Sequence, residues 1–199
     1  MATAEPEMRA AQTQSLLHVI ATLPRADREA VHLAAGAEAF ETAASALPIT
    51  WLPMGLHMRI SDAVRDTIGS ERAVLLWRDV MTGSFDRPIL RTFISMMVNV
   101  FGSDPASFLR RAPHIYAQLT RNIGTIAFTP LADGEGRVTL RGFPSRAFRF
   151  ICYVEGLHGC IDAFYPLCRT IGSTTVDAMN EATGDVIYHL RWERGASGR

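Results

Sequence analysis

The sequence contains no lysine. Its 20 basic residues are all arginine, set against 20 acidic residues in 199, for a formal net charge of zero. Without a side-chain amine there is no Schiff-base nucleophile, no anchor for a pyridoxal aldehyde, no lysine general base and no P-loop lysine. Without a positive surplus there is no basis for generic polyanion binding, so nucleic acid is not an expected partner. Cysteine is scarce. Three residues, beside a 48% apolar composition, point to reduced thiols rather than a disulfide framework. No apolar run approaches the ~18–20 residues that a membrane span needs. The first residues are acidic and polar, unlike a secretory signal, so the expected location is the cytoplasm. G-x-S-x-G, G-x-x-x-x-G-K and H-E-x-x-H are all missing.

What is present divides the chain. Residues 1–47 read as an N-terminal helical arm, 48–193 as an α+β domain and 194–199 as a flexible tail. In the arm, 11–23 predicts a helix stopped by Pro24, and an Ala-rich helix runs from Asp27 to about Ala46. Ile49 to Leu52 reads as a short extended piece. Gly55–Ile68 carries Leu56, Ile60, Ala63, Val64 and Ile68 on one face, and Gly69 stops it. Ser70 is the expected cap of the next helix, which carries Val74, Leu75, Trp77 and Met81. Residues 86–101 are apolar nearly all round, as a buried helix is. Asp104-Pro105 starts a short helix, and a further segment runs from Pro113 to Asn122.

From Gly124 the period changes. Thr125–Phe128 and Arg137–Arg141 predict a hairpin about Asp133–Gly136. One long helix is predicted from about Ser145 to Tyr165, with Phe150, Ile151, Val154, Leu157, Ile161, Phe164 and Tyr165 as its stripe. Pro166 ends it. Thr174–Met179 and Asp185–Glu193 close the chain as two strands. The fold class is α+β: N-terminal helices, then a small antiparallel sheet with a long inserted helix.

The candidate chemistry is thin. Cys152, Cys160 and Cys168 are spaced by eight. On a helix that is a turn of about 80° and a rise of about 12 Å, too far to share a zinc ion. They read as buried small apolar residues. The six histidines form no metal pair. No metal, no cofactor and no catalytic residue is expected, and the protein is not expected to be an enzyme. Glu155 and His158 lie one helical turn apart, within easy reach of each other. Arg137, Arg141, Arg146 and Arg149, with no acid among residues 137–149, are the candidate contact for an anion or a partner. Trp51, Trp77 or Phe85, where exposed, would supply aromatic anchors for a partner.

The second part resembles a known family. Carrying the likeness are the run Phe101-Gly-Ser-Asp-Pro-Ala-Ser-Phe-Leu-Arg-Arg-Ala-Pro113, the helix around Tyr153-Val-Glu-Gly156-Leu-His-Gly159 and the closing Gly184-Asp185-Val-Ile-Tyr-His-Leu-Arg-Trp192. Together they resemble a myxobacterial paralogous family of unknown function. That family is similar to 4-vinyl reductase domains, to TRAPP small subunits and to haem-NO-binding domains. The resemblance implies an apolar pocket between helices and sheet, and a homodimer. Zinc-bearing relatives of the 4-vinyl reductase type carry two cysteines about the final Gly-Asp. The corresponding places here hold Asp177, Asn180 and Tyr188, so no zinc is expected. Haem-NO-binding domains use a proximal histidine and a downstream Y-x-S-x-R that grips the propionates. Here His114 is followed 29 residues later by Phe143-Pro-Ser145-Arg146, with Phe for Tyr and the arginine displaced by one.

The expected function is a non-catalytic binding or sensor module for a small hydrophobic ligand or a partner protein, as a homodimer. Phe93, Met96, Met97, Phe150, Val154 and Leu157 are its expected ligand-binding residues. One alternative is a haem-binding gas sensor ligated by His114. The other is a protein-interaction scaffold, and in any of these roles a signalling protein would be the partner.

Overall fold

A computed structural model describes residues 4–85 and 104–194. Helices come first: α1 Ala10–Ile20, α2 Arg25–Ala35, α3 Ala37–Ser45, α4 Met54–Ile68 and α5 Ser70–Phe85. After residue 103 follow α6 Pro105–Leu109, α7 Ala112–Leu119, α8 Phe150–Asp162 and the single turn α9 Phe164–Leu167. The apolar helix predicted over 86–101 lies outside the described residues, and with it Phe93, Met96 and Met97.

The strands form two antiparallel sheets. β4 Thr125–Ala132, β5 Glu135–Arg141, β6 Thr170–Asn180 and β7 Asp185–Arg194 make a four-stranded sheet in the order β4-β5-β7-β6. In β5, Val138 and Leu140 point inward while Arg137 and Arg141 face solvent, the alternation the sequence predicted. The β6–β7 turn requires Gly184. Its φ is +68°, and a Cβ there would lie 1.9 Å from the Phe143 carbonyl oxygen. The second sheet is small: β1 Glu7–Arg9 sits between β2 Trp51–Pro53 and β3 Thr120–Arg121. The first 47 residues, expected as an arm, thus supply the centre of a sheet and pack α1 and α2 on α5 and α4.

Several element boundaries differ from expectation. The Ala-rich helix is two helices, because Gly36 at φ +82° breaks it. The long helix begins only at Phe150, five residues after the expected start. Ser70 does not spend its hydroxyl as a cap; it donates to Glu155 Oε1 at 2.6 Å.

Among the described residues two large apolar cores result, beside a small cluster of Phe108 and Cys168. One lies between the four-stranded sheet and α8, with Leu140, Phe150, Val154, Tyr188 and Leu190 fully buried or nearly so. Tyr188 keeps its hydroxyl satisfied there by donating to the Val154 carbonyl at 2.8 Å. The other lies among α1–α5, around Leu16, Ile20, Ile60, Val64 and Trp77. Burial of each such side chain contributes about 1.5–3 kcal/mol. The two cores join where α8 crosses α5. A Cβ at Gly159 would lie 2.3 Å from the Val74 carbonyl oxygen, so the crossing is as close as a glycine permits. The same crossing buries Trp77, which is therefore no surface anchor. Trp51 is not free either: the Arg9 and Arg121 guanidinium groups stack on its two-ring system at 3.8 and 3.9 Å.

Candidate functional site

At the seam between the cores is a slot of about 100 Å3. Met8 and Gln12 close one side; α4 supplies His57, Met58 and Ser61, and α5 supplies Trp77 and Met81. Opposite stand Tyr116, Leu119 and Thr120, and the wall toward the sheet is Cys152, Tyr153, Gly156, Leu157 and Cys160 of α8. An adjoining cavity of about 80 Å3 shares Met81, Tyr116, Leu119, Leu157 and Cys160 with it and reaches Ile115, Ile126 and Phe164. Among the described residues no charged side chain lines either space.

Gln12, Ser61 and Thr120 bring polar atoms to the slot, beside His57 and a tyrosine pair. Tyr153 Oη donates to Tyr116 Oη at 2.8 Å, tying α8 to α7. Burial pushes the Tyr116 phenol up to about 12 and Tyr153 well above its ordinary range, so both stay protonated. His57 is buried, with Nδ1 3.0 Å from Thr13 Oγ1. Burial lowers its pKa to about 4, so its ring is neutral at pH 7. The thiols are inert: burial, with a smaller push from Asp62, raises Cys152 well above the ordinary thiol range, and burial raises Cys160 to about 12.

Of the residues expected to bind a ligand, Leu157 lines both spaces, while Phe150 and Val154 lie in the sheet-side core. His114 is on the solvent side of α7 and accepts from Gln118 Nε2 at 2.8 Å. Two residues turn a helix by about 200°, so when Tyr116 faces the slot His114 faces away. Phe143 stacks on Tyr153 and Phe150, with centroids 4.3 and 5.3 Å apart. Ser145 donates to the Glu181 carbonyl, and Arg146 is exposed.

The arginine group does not act as one. Arg149 Nη1 reaches both oxygens of Asp66 at 2.7 and 2.8 Å, so that charge is compensated by α4. Arg137 and Arg141 are exposed on β5. Glu155 turns away from His158; it accepts from Arg65 Nε at 2.7 Å as well as from Ser70. His158 instead lies 3.5 Å from Asp162. Among the described residues no group of histidine, cysteine and carboxylate side chains is placed to hold a metal ion, and no helix is long and apolar enough to cross a membrane.

Tyr116, Tyr153 and His57 belong to no ligating or nucleophilic sequence pattern and were not among the expected site residues; the available signal was that Tyr116 lies two residues from His114.

No family model matches the sequence, and no curated protein matches it. Solved structures do. An H-NOX protein from K. algicida, in an iron(II) unliganded form, gives a TM-score of 0.66 at 10% identity over 96% of this chain and 100% of that one. An H-NOX mutant from T. tengcongensis gives 0.60 at 11% identity, covering 95% and 100%. An oxygen-binding H-NOX domain related to soluble guanylate cyclases gives 0.55 at 14%, covering 95% of each chain. The resemblance to the myxobacterial paralogous family, to 4-vinyl reductase domains and to TRAPP subunits finds no support in these comparisons. The chain has an α+β, H-NOX-like fold.

Proposed function

We propose that this protein is a non-catalytic sensor module that has kept the H-NOX architecture and takes a small neutral molecule, rather than haem, in the slot between α4, α5, α7 and α8. The observation that carries this reading is the slot itself: largely apolar walls, no charge among the described lining residues, and a tyrosine pair where α7 faces α8. Self-association and a signalling partner belong to the same reading, and sedimentation checks the first.

The described residues do not fit a haem. The slot and the adjoining cavity, at about 100 and 80 Å3, together match the ~150 Å3 cavity that admits one benzene ring and are far too small for a porphyrin. The imidazole on α7 points to solvent. Tyr116 is held as a phenol by burial, which outweighs the opposing pull of the hydrogen bond donated by Tyr153, and is not a phenolate ligand. The Phe143-Pro-Ser145-Arg146 run is spent on an aromatic stack and a backbone contact, leaving no clamp for propionates.

The likeness to H-NOX structures over nearly the whole chain favours a second reading, a haem-based gas sensor. It requires the slot to widen and His57, the imidazole among its lining residues, to serve as ligand. Haem titration with visible spectroscopy decides between the two. The expected result is no saturable Soret band. A stoichiometric band that is lost in His57→Leu would overturn the haem-free reading in favour of the second.

A further inference from the structure

His57 says more about the ligand than the apolar walls do. It lies on α4 with 4% of its surface exposed, and it lines the slot. Its Nδ1 is 3.0 Å from Thr13 Oγ1. Thr13 is itself buried, and its hydroxyl has no other hydrogen-bond partner among the described residues. A buried hydroxyl that fails to donate costs about 1–3 kcal/mol. The stable arrangement therefore has Thr13 donating to Nδ1, which leaves the ring proton on Nε2. Among the described residues Nε2–H has no acceptor.

The remaining walls set the rest of the requirement. With no charged side chain among its described lining residues, the slot gives an ion no counter-charge there, and burying an unpaired ion is strongly unfavourable. The Tyr153 hydroxyl is already donated to Tyr116. Size is set by the slot and the adjoining cavity, which Tyr116 and Leu157 both border.

Resting on the small-ligand reading above, we infer that the ligand is a neutral apolar molecule of about one small ring, carrying an oxygen or nitrogen acceptor that receives a hydrogen bond from His57 Nε2–H. Acidic, cationic and phosphorylated compounds are excluded as ligands. Trp77, Met58 and Leu157 cover the hydrocarbon part.

The test compares cyclopentanone with methylenecyclopentane on the full chain. The two have the same shape and differ in a carbonyl oxygen replaced by a methylene carbon. Binding is followed by NMR of the backbone amides, with the histidine ring nitrogens labelled. The expected result is at least tenfold tighter binding of cyclopentanone, with a shift of the His57 Nε2 resonance that methylenecyclopentane does not produce. In the paired variant Thr13→Val/His57→Leu, which removes both buried polar partners and so leaves neither stranded, the two compounds should bind alike. Equal affinities in the unmodified protein, or a preference that survives in the paired variant, overturn the His57 contact while leaving a small-ligand slot. Binding of neither compound overturns both readings.

Discussion

Individual side chains carry three of the testable consequences. His57 titrates at about 4 when folded and 6.5 when unfolded. The unfolded chain takes up the proton first, so stability should fall as pH drops from about 6.5 to about 4, by up to about 3 kcal/mol. Above pH 6.5 this contribution is constant. Denaturant melts at stepped pH should show the loss, and Thr13→Val/His57→Leu should flatten it in that window. Glu155 is the second case. It is buried and accepts from both Arg65 of α4 and Ser70 of α5, so Glu155→Ala strands two donors where those helices meet α8. A loss of about 2–3 kcal/mol is expected by chemical denaturation. The third is milder: Tyr153→Phe removes the hydroxyl bridge to Tyr116 and should cost about 1 kcal/mol. At this scale little of the site was legible. His114 and Tyr116 are equally visible in the sequence, and only the rotation of α7 decides which one meets the slot. The Arg149–Asp66 pair spans 83 residues, so no local pattern announces it.

At the scale of elements, periodicity did much better. The alternation of β5, the apolar face of α4 and the stop at Gly69 all follow from side-chain spacing and glycine geometry. The small three-stranded sheet did not. Its strands are two or three residues long, and Glu7 pairs with Pro53 and Arg121, far along the chain. Strands so short carry no period to read. The α5–α8 crossing holds the slot open by fixing Trp77 against Gly156 and Gly159. Gly159→Ala should force the helices apart, at a cost of about 1–3 kcal/mol and a lower Tm in calorimetry. The same displacement should weaken cyclopentanone binding, because Trp77 is a wall of the slot.

For the whole molecule, the α+β class was readable because helical and strand periods are segregated along the chain. The H-NOX-like arrangement came from coordinates, since identities of 10–14% leave almost no shared residue pattern. The zero net charge acquires a meaning at this scale. Balanced charge keeps the surface mixed, while the described walls of the slot between the cores carry no charged side chain. In the proposed reading, a fold that resembles H-NOX structures is paired with walls suited to a small, neutral guest. Native mass spectrometry of the protein from haem-replete cells tests that pairing most directly. The expected spectrum shows an adduct far lighter than haem, lost in Gly156→Leu, which would push a side chain against Trp77 and fill the slot. A stoichiometric haem adduct, or the bare chain mass alone under the mildest conditions, would contradict it.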